Sequence, residues 1–259
     1  MARNPAQAET RRRELARMLS DGRQVSTAHA ALRFGVSQMT IRRDLEALEQ
    51  TGLALRSYGG AVAAQRITFE FAFDARRRRR LGDKRRIGAA AATQVQAGQM
   101  VFLDTGTTTL EVARALAKSG TPCTVATSSL VVASELWGRG QVELLLLGGR
   151  VRRGSPDLAG PVTELMLDRL TADVAFIGSE GVDPRRGSFA GDPESARVAE
   201  CMAAHARRVV VVADSSKLGA AGAVRYMPTE SMDELITDAK ADRALVSTLR
   251  GRGVTVTLV

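Results

Sequence analysis

The sequence predicts an α/β chain of two unequal domains, a small helical unit with a β-wing ahead of a larger domain with a mainly parallel sheet. Three observations predict it. The chain has 259 residues, more than a single domain usually holds. Apolar positions keep helical spacing up to Leu48, whereas from residue 87 onward short apolar runs alternate with helical stretches. Charge is uneven: the net +9 comes from residues 1–62 (ten Lys/Arg, six Asp/Glu) and 63–86 (nine and three), while 87–259 carry eighteen and nineteen. The predicted organisation is a small domain over 8–62, a basic linker over 63–86 and an α/β domain over 87–259.

The small domain is read element by element. Leu15, Met18 and Leu19 mark a first helix over 8–20, stopped by Asp21-Gly22. Ser26 is placed to cap a second helix reaching Arg33, with Ala28, Ala31 and Leu32 inward. Gly35 suits a left-handed turn after it. Ser37 is placed to cap a third helix from Gln38 to Gln50, and Gly52 ends it. Residues 53–58 alternate like a strand and Gly59-Gly60 forms a hairpin turn. Helix, helix, short turn, helix and wing is the order of a winged helix-turn-helix.

Ile41, Leu45 and Leu48 share one face of the third helix and are expected inward. Met39, Arg43 and Glu46 then point away, with Thr40 and Arg42 on the flanks. Such a helix enters the major groove of double-stranded DNA by its N-terminal end, where Arg42 and Arg43 can donate to guanine. Ser37, Gln38 and the helix N-terminus can hold phosphates. A localised basic surface attracts a polyanion, and solubilising surface charge is the plainer alternative. In the linker, Arg76-Arg77-Arg78-Arg79-Arg80 repel one another, so a packed location is not expected; they are a solvated linker or helix face, or a further phosphate contact.

In the larger domain, strands are expected at 100–103, 124–126, 142–147, 174–177, 209–213, 235–236 and 254–258. Helices are expected near 108–118, 130–137, 162–170, 193–206 and 242–250. Asp104-Thr105-Gly106-Thr107-Thr108-Thr109 lies between a strand and a helix. Gly106 allows close backbone approach, hydroxyls follow, and a helix N-terminus offers free N–H groups, which together make an anion site. Such loops at strand carboxyl ends are where α/β sheets bind ligands. Thr127-Ser128-Ser129, Gly148-Gly149 and Asp214-Ser215-Ser216-Lys217 also follow strands, and Lys217 can supply a cation. Ordinary turns carry the same residue types, so spacing alone leaves both readings open.

No apolar run is long enough to cross a bilayer and the N-terminus lacks a signal-type segment, so a cytoplasmic location is expected. With two histidines, and Cys123 and Cys201 lacking ligand spacing, neither a metal site nor a cofactor is expected, and both cysteines read as packing residues.

Thr40-Ile41-Arg42-Arg43-Asp44-Leu45, followed by Gly59-Gly60-Ala61, closely resembles the DNA-binding domain of DeoR-type bacterial regulators. Tyr58 stands where that family usually has His. The second domain resembles the family's effector domain, similar in fold to ribose-phosphate isomerases and glucosamine-phosphate deaminases. The resemblance implies a repressor of carbohydrate-metabolism genes that responds to a phosphorylated sugar and is not itself an enzyme. It places Asp104, Gly106, Thr107, Thr108, Thr109, Thr127, Ser128, Ser129, Gly148, Gly149, Glu194, Asp214 and Lys217 on the ligand rim. Ser128 replaces the usual Asn, and Ala199-Glu200 replace a usual Lys-Arg pair, removing two cations. Three functions compete: a ligand-responsive repressor, a sugar-phosphate isomerase or deaminase with a DNA-binding arm, and a regulator without small-molecule sensing. Helix-turn-helix modules work as symmetric pairs, so a homodimer or higher even oligomer is expected.

Overall fold

The computed structural model describes residues 5–22, 24–63, 73, 75–152 and 155–259. Two compact units form, Met1–Arg76 with Arg153–Ser155, and Arg77–Arg152 with Pro156–Val259. Much of the expected linker, residues 64–72 and 74, lies outside the described residues.

The first unit runs α1 (Pro5–Gly22), β1 (Gln24–Ser26), α2 (Thr27–Phe34), α3 (Gln38–Gln50), β2 (Ala54–Ser57) and β3 (Gly60–Ala63). The strands form an antiparallel sheet in the order β1-β3-β2. Leu15, Leu19, Ile41 and Leu45 are fully buried, as helical spacing predicts. The second helix is phased differently from the sequence reading. Thr27, Ala30 and Ala31 face inward, while Ala28 and Leu32 are exposed. The cause is β1: Ser26 pairs with Gly60 in the sheet and makes no side-chain cap, so the helix begins from a strand. Gly60 is required there, because a Cβ would stand 2.0 Å from the Val25 carbonyl oxygen.

Asp44 holds this unit together electrostatically. It sits on α3 but is buried, and it accepts hydrogen bonds from Arg11 Nε at 2.6 Å and Arg12 Nε at 3.3 Å, both on α1. Its position on the inner edge of α3 turns Arg42 and Arg43 outward.

The second unit contains a seven-stranded parallel sheet. Its strands are β4 (Met100–Leu103), β5 (Cys123–Thr127), β6 (Val142–Leu146), β9 (Val174–Gly178), β12 (Val209–Val212), β14 (Glu234–Thr237) and β15 (Thr255–Leu258). They are ordered β15-β14-β12-β9-β4-β5-β6. Each strand expected from the apolar runs is present. The chain travels outward from β4 to β6, then returns to the other side of β4 as β9. The sheet therefore reverses direction between β4 and β9.

Helices α5 (Thr107–Ser119), α6 (Leu130–Leu136), α7 (Pro161–Leu167), α8 (Pro193–Ala204) and α9 (Arg243–Gly251) connect the strands. A preceding helix, α4 (Leu81–Ala92), was not expected and overlaps the end of the anticipated linker. It packs so closely on α5 that a Cβ on Gly88 would stand 2.5 Å from the Glu111 carbonyl carbon. Two further elements escaped the sequence reading: the hairpin β7 (Arg150–Val151) and β8 (Leu158–Ala159), and a small sheet of β10 (Gly181–Asp183), β11 (Gly187–Ala190) and β13 (Val224–Met227). Among the described residues, no helix is long and apolar enough to cross a membrane.

Asp44→Ala leaves Arg11 without its buried partner, a loss of about 3 kcal/mol for such a pair. The expected result is a lowered melting transition for the N-terminal unit with the transition of the C-terminal unit unchanged, measured by calorimetry.

Candidate functional site

On the first unit, Ser37 caps α3 by accepting from the Thr40 N–H at 3.2 Å, and its hydroxyl also contacts Thr40 Oγ1 at 2.9 Å. Gln38, Met39, Arg42 and Arg43 are exposed beside it, with Thr40 half-buried. Tyr58 is fully exposed at the β2–β3 turn. Arg56 ties this wing to the helix by donating from Nη1 to the Arg42 carbonyl at 3.2 Å, while its N–H reaches Glu49 Oε1. The sequence-predicted DNA face thus lies on one capped helix and the adjoining wing, with Arg56 as a positioning residue the sequence reading missed.

On the second unit, the strand order reverses between β4 and β9, and the carboxyl ends of strands at such a point are the usual ligand position in open α/β sheets. Asp104 directly follows β4. It is buried, and its Oδ2 accepts from the Gly178 N–H at 3.1 Å. Burial pushes its carboxyl up to about 7 against the opposing backbone N–H groups of Thr105 and Gly178; Asp157 pushes it further up and Arg152 pulls it down. Gly106 follows with φ 138°, a conformation that favours glycine, and provides no side-chain cap for α5. The first-turn N–H groups of that helix therefore face the loop without a side-chain acceptor, beside Thr107.

The other predicted hydroxyls serve the shape of the rim. Thr109 is fully buried and donates to the Gly106 carbonyl at 3.1 Å, beside buried Thr108. Thr127 Oγ1 accepts from the Ser129 N–H, and Ser129 Oγ caps α6 by accepting from the Val132 N–H. Ser128 is buried between them. Gly148 and Gly149 admit α7: Thr163 donates to the Gly148 carbonyl at 2.6 Å, and a Cβ on Gly149 would lie 2.1 Å from that hydroxyl.

Lys217 follows β12 and is paired at 2.6 Å with Glu180, which follows β9 and was not expected. Asp214 is buried and turned toward Arg80. That arginine, last of the run of five, is the one non-glycine residue of positive φ among those described. Its Nη1 lies 2.5 Å from Ser215 Oγ, 3.5 Å from Asp214 and 3.6 Å from Asp238. The expectation that the run would be left unpacked therefore fails at Arg80, because the buried carboxylates of Asp83, Asp214 and Asp238 supply the opposite charge.

The largest omission of the sequence reading is Arg152. It is nearly buried and donates to Asp157 at 3.0 Å, Asp192 at 2.5 Å and Ser195 Oγ at 2.9 Å, and it lies 3.4 Å from Glu194. Glu194 also pairs with Arg150. Beside this cluster lies a groove of about 500 Å³, lined by Arg150, Gly160, Pro161, Glu164, Glu194 and Arg197 among others. Ala199 is buried in the core, and Glu200 is exposed and paired with Arg197 at 2.9 Å.

Asp104 carries a pH signature. Its folded value of about 7 exceeds its ordinary 3.8, so within that window the folded chain binds more protons than the unfolded one. Its contribution then weakens the folded state as pH rises. Asp104→Asn keeps an acceptor for Gly178 and removes the titration. Denaturant titrations at about pH 4 and pH 8 should show the variant gaining on the parent at the higher pH; a difference independent of pH would contradict this assignment.

Residues 79–239 match the DeoR C terminal sensor domain and residues 11–66 the DeoR-like helix-turn-helix domain. The chain is 37% identical over 246 residues to the HTH-type transcriptional regulator GlpR of Haloferax volcanii, covering 95% of this chain and 96% of GlpR. It is 32% identical over 228 residues to the HTH-type transcriptional repressor CsqR of Escherichia coli K12, covering 86% and 85%. Among solved structures, ribose 5 phosphate isomerase A from Neisseria gonorrhoeae matches with a TM-score of 0.38 at 20% identity, over 52% of each chain. Two matching domains in this order, and full-length relatives at this identity, establish that the chain belongs to the DeoR family of DNA-binding transcriptional regulators.

Proposed function

We propose that this regulator is a repressor of carbohydrate-metabolism genes, that α3 reads its operator, and that a phosphorylated sugar in the β4–β9 crevice changes its affinity for DNA. The observation that carries the sensing half is the uncapped turn at Gly106, at the point where the sheet reverses. A phosphate monoester brings nearly two negative charges and needs oriented N–H groups and a cation. The first turn of α5 offers the former and Lys217 the latter. Glu200 faces solvent and Ala199 the core, so loss of the usual Lys-Arg pair leaves this crevice unaltered. The domain acts here as a binding domain, so sugar phosphates incubated with it should be recovered unchanged. Its place of action is the cytoplasm, with the DNA.

For DNA reading, the capped and exposed N-terminal turns of α3 support Ser37, Gln38, Met39, Thr40, Arg42, Arg43 and Tyr58 as the contact set. Arg43→Ala should weaken operator binding by about 10- to 100-fold, the range of one bidentate guanine contact, and relax base preference. Unchanged affinity and selectivity in both Arg42→Ala and Arg43→Ala would overturn this assignment. For sensing, calorimetry should detect binding of hexose phosphates that is lost in Thr107→Ala and in Lys217→Ala. A single module covers few base pairs, so the working form is a homodimer or higher even oligomer. Light scattering of the full chain at tens of micromolar should give at least twice the chain mass, and a monomer would contradict it.

A further inference from the structure

The two edges of the seven-stranded sheet are finished differently. At one end, β15 is covered from its own domain. Val254, just ahead of the strand, donates its N–H to the Leu249 carbonyl at 3.2 Å, and Arg250 Nη2 donates to the Val256 carbonyl at 2.9 Å. At the other end stands β6, paired on one side only, with β5. Leu147 donates to the Thr127 carbonyl, so Glu143 and Leu145 also turn their backbone groups to β5. The N–H and C=O groups of Val142, Leu144 and Leu146 turn outward, and among the described residues no hydrogen bond reaches them.

Open edges accept strands from other chains, and proteins ordinarily blunt them with Lys, Pro or a bulge. Strand β6 has none of these: it reads Val-Glu-Leu-Leu-Leu, and its register with β5 runs unbroken from Val142 to Leu146. It is also apolar. Leu146 is 41% exposed, Leu144 and Leu145 are half-buried, and Trp137 ahead of the strand is 81% exposed.

Self-complementarity favours a second copy of this chain as the occupant. Two β6 strands running antiparallel about a two-fold axis at Leu144 set Val142 opposite the partner's Leu146 and Leu144 opposite its own counterpart. These are the residues with unpaired backbone groups, so each facing pair can exchange two hydrogen bonds, about six in all. Val142, Leu144 and Leu146 share one face of the strand, so the pairing joins two apolar rows. Glu143 meets the partner's Leu145. Slipping by two residues one way opposes the two glutamates, and the other way sets Val142 against Gly148.

We propose that the β6 edge is an interface with a second copy of this chain, joining the two parallel sheets into one across a two-fold axis. This deepens the reading of the working form as an even oligomer by naming its surface. Trp137 stands at the amino end of β6, which meets the partner's Leu146, and adds an aromatic side chain to that contact.

Facing Cα atoms of a hydrogen-bonded antiparallel pair lie about 5.5 Å apart, within disulfide range. Leu144→Cys in the full chain, treated with diamide, should therefore give a covalent dimer on non-reducing gels. Leu146→Cys faces the partner's Val142 and should not cross-link, nor should Leu258→Cys on β15, although Leu258 is 45% exposed. The parent chain, with Cys123 and Cys201 buried, is the blank. Leu146→Lys enters a two-fold interface twice and should weaken association by about tenfold or more in sedimentation, whereas Leu258→Lys should stay within about twofold. An associated Leu144→Cys chain that gives no cross-link overturns the β6 interface and leaves the even oligomer standing. If that variant does not fold, Leu146→Lys decides, and association unchanged from the parent overturns the interface. A parent chain that is monomeric at tens of micromolar overturns both readings.

Discussion

The Asp104 side chain, accepting the Gly178 N–H, ties the end of β4 to the end of β9 where the strand order of the parallel sheet reverses. Strands β4 and β9 are neighbours, but their following loops leave in opposite directions, so backbone groups at their ends lose the partners a continuous sheet would supply. Asp104 satisfies one of them. The buried Tyr226 phenol satisfies another, donating to the Gly178 carbonyl at 3.0 Å. With both strand ends fixed, the turn at Gly106 leaves the first N–H groups of α5 without a side-chain acceptor. Burial has a chemical consequence: it raises the proton affinity of Asp104 into the neutral range.

The same reliance on side chains from distant segments appears at the neighbouring strand ends. Asp214 and Asp238 follow β12 and β14 and are buried. Asp238 accepts from the Ser215 N–H at 2.7 Å, and both acids face Arg80 just before α4. Asp83 on α4 is held by Lys240 and Arg86, and the hydrogen bond from Lys240 is the largest cause drawing its carboxyl below the usual range. The end of the basic segment is thus fastened to the loop that carries Lys217. At Arg80 the repulsion among the five arginines is offset by carboxylates that sequence spacing does not bring into view.

What was legible in the sequence followed from periodicity. Ile41, Leu45 and Leu48 repeat at helical spacing, and runs such as Val209 to Val212 are short and β-branched, which favours buried strands over helix. Loops after strands were also legible, because Asp104, Gly106 and Thr107 combine residue types with a distinct use there. Contacts made at long range left no such mark. Arg152 reaches Asp192 forty residues away, and Glu180 reaches Lys217 across thirty-seven. Polar residue type also does not tell a ligand contact from a hydroxyl that holds its own turn, as those of Thr109, Thr127 and Ser129 do. Leu32 and Ala28 were misplaced because the short strand β1 sets the phase of α2, and a three-residue strand is too short to announce itself.

A crystal structure of the full chain grown with a hexose 6-phosphate tests the central claim most directly. The phosphate oxygens should lie within hydrogen-bond reach of the backbone N–H groups of residues 106–108. A sugar phosphate seated instead in the groove between Arg150 and Arg197, with the Gly106 turn vacant, would contradict the assignment of the β4–β9 crevice as the sensing site.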